Sequence, residues 1–308
     1  MISRQRLVSS VSRLYPFYSG CATFANHSLV QRIAGVNDET VWTRVSGGEV
    51  LAPLGDFVGR AAYYAGELDR KITWICSRLI RPGDTVMDIG ANIGIVTVCM
   101  AKLVGSSGRV HSFEPNPSLV QLLRQVIEHN QLANVKLHPV ALGQDEGRLE
   151  LRIPKFNAGA ASLVRNYDLP DCEPVSVPVR RLSAIAAEES IRTVRLIKID
   201  VEGYEAEVFL GGRELLQSAH PEAILFEFNE RTKASLSEYP LIKILLEHNY
   251  DLLAVPRAMV RMRLQRVDPN GMGPIGHDFL AVARGDQYKD SLARMNVRPG
   301  SVAHSPAA

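Results

Sequence analysis

A glycine-bearing turn follows a short apolar segment at residues 86–89 and precedes a helical stretch. Gly90 and Gly94 leave room for a ligand to approach the backbone closely. Asp88, near the end of the apolar segment, would attract a cationic group of a ligand and repel a pyrophosphate. The third glycine of the G-x-G-x-x-G dinucleotide motif is absent. The segment therefore favours a cationic nucleoside over a dinucleotide, with a purely structural strand-to-helix turn as the alternative.

A second carboxylate, Glu114, closes the next apolar segment at residues 111–115. It is expected to lie across the strand tips from Gly90, where a carboxylate can accept both hydroxyls of a ribose. A ribose acceptor beside an anionic turn suits S-adenosylmethionine, a nucleoside that carries a sulfonium. The alternative is an acid that complements the dipole of the following helix.

Two further acids, Asp200 and Glu202, follow the apolar segment 196–199. Ligands of open α/β sheets bind beyond the carboxyl ends of the strands, so both side chains are expected to face the crevice. Lys198 lies two residues before Asp200, on the same face of the strand, and is also a candidate for a structural ion pair.

The end of the following strand carries Glu227 and Asn229, which either orient a substrate or cap the loop. Asp200, Glu202 and Glu227 could gather around a magnesium ion, because hard cations prefer carboxylates. Acids two residues apart at a strand end are, however, often hydrogen-bonded to loop backbone. We therefore predict no metal site.

The alternation of apolar segments and helical periods after residue 80 predicts a mostly parallel sheet covered on both faces. Helices are predicted at about 94–104, 117–130, 205–217 and 239–248. The predicted strands are 85–89, 109–113, 136–142, 195–200 and 223–228. Two more segments, 251–255 and 278–283, have no helical segment between them and are predicted to pair as a terminal antiparallel hairpin.

The predicted organisation is an accessory region of helices and a hairpin at 1–80, a cofactor-binding domain at 81–285 and a disordered tail at 286–308. An insertion at 147–185 is a candidate lid over the substrate. The arginine-rich first 35 residues resemble a transit peptide or an amphipathic helix that docks on the domain, and we favour the docking helix. Its apolar residues would be Leu7, Val8, Val11 and Leu14.

The composition is that of an ordinary enzyme, with 308 residues, 46% hydrophobic and 22% charged. A net charge of +2 gives no reason to expect a nucleic-acid partner. The four cysteines lack metal-ligand spacing and suit a reducing cytoplasm. No apolar run reaches the roughly 20 residues of a membrane-spanning helix. We expect a cytoplasmic protein without an integral membrane segment.

The ordered combination of residues 88–94, 113–116 and 197–205 resembles the FkbM-type methyltransferases. The Gly66-Glu67 segment and the loop at 157–162 share the resemblance, which spans roughly residues 40–284. It implies a class I methyltransferase fold, which is Rossmann-like with a mostly parallel seven-stranded sheet. It also implies contacts to S-adenosylmethionine from Glu67, Asp88, Gly90, Asn92, Gly94 and Glu114.

The expected function is therefore S-adenosylmethionine-dependent methylation of a small-molecule hydroxyl acceptor, on a sugar or a secondary metabolite. A hydroxyl must lose its proton, and Asp200 is the first candidate for the base, ahead of Glu202 and His138. Two alternatives stay open: a nicotinamide-dependent oxidoreductase, and a catalytically silent nucleoside-binding module.

Overall fold

The computed structural model describes residues 4–35, 38–155, 157–164, 172–228, 235–257, 260–271, 277–285, 293–295 and 297. Helices and a hairpin precede the main sheet, as predicted. They are α1 (Arg4–Ser12), α2 (Cys21–Ala25), α3 (Ser28–Ala34), β1 (Thr40–Val45), β2 (Gly48–Pro53), α4 (Phe57–Ala65) and α5 (Arg70–Leu79). Asp56 and Asp69 begin the last two helices, because each side chain accepts hydrogen bonds from first-turn N–H groups.

Strands and helices then alternate along the chain. They are β3 (Thr85–Ile89), α6 (Ile95–Val104), β4 (Arg109–Phe113), α7 (Pro117–His129), β5 (Val135–His138), β6 (Ala141–Leu142), β7 (Gly147–Pro154), β8 (Cys172–Arg180), α8 (Leu182–Glu188), β9 (Leu196–Ile199), α9 (Glu205–Leu210), α10 (Arg213–Ser218), β10 (Ala223–Phe228), α11 (Pro240–Glu247), β11 (Tyr250–Val255), β12 (Gln265–Arg266) and β13 (His277–Ala283). Single 3-10 turns lie at Ala158–Ala160 and Leu236–Glu238.

The main sheet has the strand order β12-β11-β13-β10-β9-β3-β4-β5. The five strands from β10 to β5 are parallel, and β13 runs antiparallel between β10 and β11. The predicted mostly parallel sheet with a terminal antiparallel hairpin is confirmed. The predicted count of seven strands is one short, because β12 pairs with Leu253 and Ala254 at the edge.

Two predicted elements are divided in the structure. The predicted strand 136–142 ends at His138, since Pro139 has no N–H to donate to a strand ladder. Beyond Pro139, β6 joins a separate three-stranded sheet with β8 and β7. The predicted helix 205–217 is two helices, α9 and α10, which Gly211 and Gly212 separate.

The parallel strands are buried on both faces, so alternate residues enter two different cores. Met87 and Ile197 pack in one core with α9 and α11, and Val86 and Leu196 pack in the other with α5 and α6. Burying a large apolar side chain contributes about 1.5–3 kcal/mol. The two cores therefore cover both faces of the neighbouring strands β3 and β9.

The N-terminal elements pack against the main domain. Val50 and Val58 share a core with Ile93 and Val98, which belong to the turn and helix after β3. The first helix differs from the prediction of an apolar docking face. It buries Ser9 and Ser12, while Leu7, Val11 and, just beyond its end, Leu14 are exposed. Of the four residues predicted for the docking face, Val8 packs against the domain and the other three do not.

The insertion contains two extended strands, which pair as β7 and β8. Residues 156 and 165–171 of the predicted lid lie outside the described residues. Most of the predicted tail also lies outside them, but Met295 is buried in the core beside α5 and α6. In the described part of the chain, no helix is both long and apolar enough to cross a membrane.

Candidate active site

A cavity of about 560 Å³ opens at the carboxyl ends of β3, β4, β9 and β10. This volume lies within the range of about 300–1,000 Å³ that is usual for small-molecule sites. The turn after β3, the end of β4 and the acids after β9 supply its inner walls. Residues of α2, α4, α5, β13 and the insertion supply the remaining walls.

The turn after β3 has backbone geometry that requires glycine at its first position. Gly90 has a φ of +77°, and a Cβ there would lie 1.9 Å from the carbonyl oxygen of Asp200. The N–H groups of Gly90 and Ala91 both donate to the carbonyl of Phe113 at 3.0 Å. Asn92 also has a positive φ, of 52°. The turn is thereby fixed between β4 and β9 at the floor of the cavity.

Glu114 is a buried carboxyl group in the cavity wall. Its oxygens accept hydrogen bonds from the backbone N–H of Asn92 at 2.8 Å and of Asn116 at 2.9 Å. Burial raises the pKa of Glu114 to about 7, although the two N–H donors and the charge of Lys198 oppose the rise. Each oxygen keeps a lone pair for a further donor, such as a ribose hydroxyl.

Asp88 does not line the cavity and is fully buried below the turn. Its Oδ2 accepts from the hydroxyl of Thr97 at 2.6 Å, and its Oδ1 lies 3.4 Å from Lys198 Nζ. Lys198 Nζ also donates to the carbonyl of Gly90 at 2.8 Å and lies 3.9 Å from Asp200 Oδ2. The structure therefore places Asp88 behind the turn, as the counter-ion of Lys198.

Three other predicted site residues also lie away from the cavity lining. Glu67 accepts from the hydroxyl of Thr73 at 2.5 Å. Gly94 begins α6, where a Cβ would lie 2.6 Å from Leu123 Cδ1, so this glycine allows α6 and α7 to pack closely. His138 shares a hydrogen bond with His111 at 3.1 Å and stacks on the ring of Phe113.

Asp200 and Glu202 line the cavity, as the sequence predicts, and Glu227, whose role the sequence left open, lines it with them. Glu202 has a φ of 53°, in a backbone region that residues other than glycine rarely adopt. Burial and the charges of Asp200, Glu227 and Glu205 raise the pKa of Glu202 to about 8. Asn229 lies outside the described residues. Among the described residues, no three His, Cys, Asp or Glu side chains are grouped to hold a metal ion.

Several cavity residues were not predicted because they come from distant parts of the chain. Lys71 on α5 pairs with Asp278 on β13 at 2.6 Å and with Asp69 at 3.3 Å, and all three line the cavity. Burial raises the pKa of Asp69 to about 6. Asn157 of the insertion also lines the cavity, and its buried Oδ1 has no hydrogen-bond partner. The resemblance of its loop to the family was the one signal in the sequence for this residue.

The insertion is held at the cavity by a contact that no local sequence pattern indicates. Asp56, which caps α4, accepts a hydrogen bond at 2.7 Å from the backbone N–H of Ala158. A Cβ on Gly159 would lie 2.9 Å from Asn92 Nδ2, so the insertion lies directly against the turn after β3. On this side the cavity is therefore bounded by the start of α4, the insertion and the turn after β3.

The residues of the cavity fit S-adenosylmethionine. Glu114 offers buried acceptor oxygens to a ribose, and the glycine turn exposes backbone beside it. Asp200, Glu202 and Glu227 give the adjoining wall a concentration of carboxyl groups, which suits a ligand with a sulfonium and an ammonium group. The wall also carries apolar side chains from Ile89 and Leu142.

Comparison with known proteins gives a family match within the α/β domain. Residues 88–252 match the family described as "Methyltransferase FkbM domain". The chain is 32% identical over 161 residues to the 31-O-demethyl-FK506 methyltransferase FkbM of Streptomyces tacrolimicus, which covers 43% of this chain and 60% of that protein. It is 28% identical over 160 residues to the 2-O-methyltransferase NoeI of Sinorhizobium fredii, covering 46% and 63%.

The chain spans about three-fifths of the length of these curated relatives. Among solved structures, the methyltransferase FkbM from Methylobacillus flagellatus is similar with a TM-score of 0.39 at 13% identity, covering 90% of this chain and 59% of that one. The family match covers more than half of the chain. This chain therefore belongs to the FkbM methyltransferase family, whose cofactor is S-adenosylmethionine.

Proposed function

We propose that this protein transfers a methyl group from S-adenosylmethionine to a hydroxyl of a small-molecule acceptor, on a sugar or a secondary metabolite. The observation that carries the proposal is one cavity with a buried carboxyl group, Glu114, on one wall and the acids Asp200 and Glu202 on another. The names of the relatives support oxygen as the methylated atom, since one is a 2-O-methyltransferase and another acts on 31-O-demethyl-FK506.

The chain's own residues would bind and orient the two reactants. When bound, S-adenosylmethionine supplies a methyl group that its sulfonium already activates, so alignment is the main contribution of the protein. Glu114 would hold the ribose, and the turn at Gly90 would let the cofactor lie against backbone. Asp88 would act as a positioning residue, since it fixes Lys198, which donates to the carbonyl of Gly90.

Glu202 is our candidate for the base. A general base works best when its pKa lies near the working pH, and the pKa of Glu202 is raised to about 8. The hydroxyl proton would pass to the Glu202 carboxylate as the acceptor oxygen takes the methyl group, whose bond to sulfur breaks so that S-adenosylhomocysteine leaves. Asp200, the first candidate from the sequence, also lines the cavity but lies 3.9 Å from Lys198 Nζ. His138 does not line the cavity, so it is not a candidate for the base.

Calorimetric titration with S-adenosylmethionine, S-adenosylhomocysteine and NAD tests the cofactor part of the proposal. We expect binding of both sulfur nucleosides, loss of that binding in Glu114→Ala, and no binding of NAD. Glu128→Ala changes an exposed acid on α7 and is the matched control. Binding of NAD alone would favour the oxidoreductase alternative. Binding of the sulfur nucleosides without methylation of any hydroxyl acceptor would favour the silent binding module.

We further expect methyl transfer to need no divalent cation, because the sulfonium is activated without a Lewis acid. A metal chelator should leave the transfer rate unchanged. A loss of activity in chelator that added Mg²⁺ restores would contradict this expectation.

A further inference from the structure

The first helix directs its apolar side chains, except Val8, away from the domain. Helix α1 buries Ser9 and Ser12, which are 7% and 4% exposed. Its apolar side chains Leu7 and Val11, and Leu14 just beyond its end, are 60%, 62% and 78% exposed. Helices normally bury their apolar stripe, so this outward apolar face needs an explanation.

Specific hydrogen bonds hold α1 in this orientation. The hydroxyl of Ser9 donates to the carbonyl of Tyr63 at 2.7 Å. The guanidinium of Arg13 donates to Thr43 Oγ1 at 2.6 Å and to the carbonyl of Arg44 at 2.9 Å. Rolling α1 to bury Leu7 and Val11 would break these bonds. The apolar face is therefore fixed toward the outside.

Helix α3 contacts α1 and adds two more apolar side chains. Leu29 and Ile33 lie one helical turn apart, and each is 55% exposed. We call Leu7, Val11, Leu14, Leu29 and Ile33 together the N-terminal apolar surface. Among the described residues, the other large apolar side chains with comparable exposure are Trp42 and Val260. Exposed apolar side chains are thus concentrated on two neighbouring helices.

The charged side chains of α1 and α3 are all positive. Arg4, Arg6 and Arg32 are exposed on the same two helices, and the chain has no acidic residue before Asp38. Apolar side chains flanked by arginines are the pattern of helices that lie in the interface of an anionic bilayer. Pairing the surface with a second copy about a two-fold axis would instead bring the arginines of both copies together.

We propose that the N-terminal apolar surface binds the surface of an anionic lipid bilayer. The five apolar side chains would enter the boundary between headgroups and acyl chains, and the arginines would pair with lipid phosphates. The hydrogen bonds of Ser9 and Arg13 would transmit this attachment to the rest of the domain. The proposal concerns a surface outside the cavity and is independent of the methyl-transfer reaction.

Vesicle sedimentation of the full chain tests the proposal. The probes are vesicles of phosphatidylcholine with phosphatidylglycerol and vesicles of phosphatidylcholine alone. We expect binding to the anionic vesicles that weakens as salt screens the arginines. The triple variant Leu7→Ser, Val11→Ser and Ile33→Ser should lose about tenfold or more in affinity, because it removes apolar contacts with the bilayer. Val260→Ser, an exposed valine away from the surface, should bind like the parent protein.

Unchanged binding of S-adenosylhomocysteine by the triple variant would show that the fold and cavity are intact. Three results would overturn the proposal. They are absence of binding to anionic vesicles, equal loss in Val260→Ser, and self-association of the parent chain that the triple variant abolishes. The last result would identify a second copy of the chain as the occupant of the surface.

Discussion

The ionisation of Glu114 should make binding of S-adenosylhomocysteine depend on pH. The carboxyl group has a pKa of about 7 without ligand, because burial disfavours its charged form. Its oxygens already accept from Asn92 and Asn116, so two ribose hydroxyls would use the remaining lone pairs. Hydroxyl donors stabilise the ionised form, so binding should lower the pKa and release a proton at pH values below about 7.

The magnitude follows from the cost of ionising the group. If the ionised form alone binds, affinity falls about tenfold for each pH unit below the pKa of about 7, or about 100-fold by pH 5. Above pH 7 the affinity should level off. Replacing the carboxylate by an amide removes a charge-assisted hydrogen bond that contributes about 1.5–3 kcal/mol. We therefore expect Glu114→Gln to bind about 10- to 150-fold more weakly near pH 8.

Calorimetry in two buffers of different ionisation enthalpy measures both the affinity and the proton released. Asp69, with a pKa raised to about 6, and Glu202, with a pKa raised to about 8, also titrate in the cavity. Glu114→Gln isolates the contribution of Glu114, because it should reduce the slope between pH 5 and about 7 and remove the part of the proton release that Glu114 contributes. An identical slope in Glu114→Gln, or a pH-independent parent protein, would refute the assignment of Glu114 to the ribose.

Three further predictions concern the acids, the buried ion pair and the turn. Glu202→Gln should lower kcat by about 10²–10⁴-fold without changing S-adenosylhomocysteine affinity. In the parent protein, kcat/KM should rise toward pH 8 as Glu202 ionises. Equal activity of the variant and the parent would exclude Glu202 as the base. Lys198→Met should lower the free energy of unfolding in urea by about 3–5 kcal/mol, because Asp88 stays buried without its counter-ion. Adding Asp88→Asn should recover part of this loss. Gly105→Ala should lower the free energy of unfolding by about 1–3 kcal/mol, because its φ of 64° and ψ of −174° form a backbone region that only glycine adopts readily. Gly90→Ala should lower it clearly more, because its Cβ would also overlap the backbone of Asp200; equal losses would contradict the contact.

The sequence predicted the sheet because its strands are marked locally. Parallel strands buried on both faces are continuous apolar segments, and those after residue 84 were located with few errors. Pro139 could have divided the predicted strand 136–142, since proline cannot donate to a ladder. Gly211 and Gly212 could likewise have divided the predicted helix 205–217. At both places a proline or a glycine pair ends the element although the apolar pattern continues.

The site was predicted where position along a strand decides exposure to the crevice. Glu114, Asp200 and Glu202 follow strand ends and do line the cavity. Asp88 lies within β3, and its burial depends on the cover that α6 provides through Thr97. Lys71 is joined to Asp278 by more than 200 residues of chain, so no local pattern could place it in the cavity.

Lys198 links the two halves of the cavity, and this explains why the buried pair is tolerated. A buried salt bridge is weak evidence for stability, because desolvation offsets much of the attraction. Here Lys198 pairs with Asp88 on β3, donates to the carbonyl of Gly90 and lies near Asp200 on its own side of the crevice. The same ammonium therefore joins the turn at Gly90 to the strand end that precedes Glu202. A methyl transfer that depends on alignment requires both reactants to be positioned. A hydrophobic pair in place of Lys198 and Asp88 would fill the space but would not hold the carbonyl of Gly90.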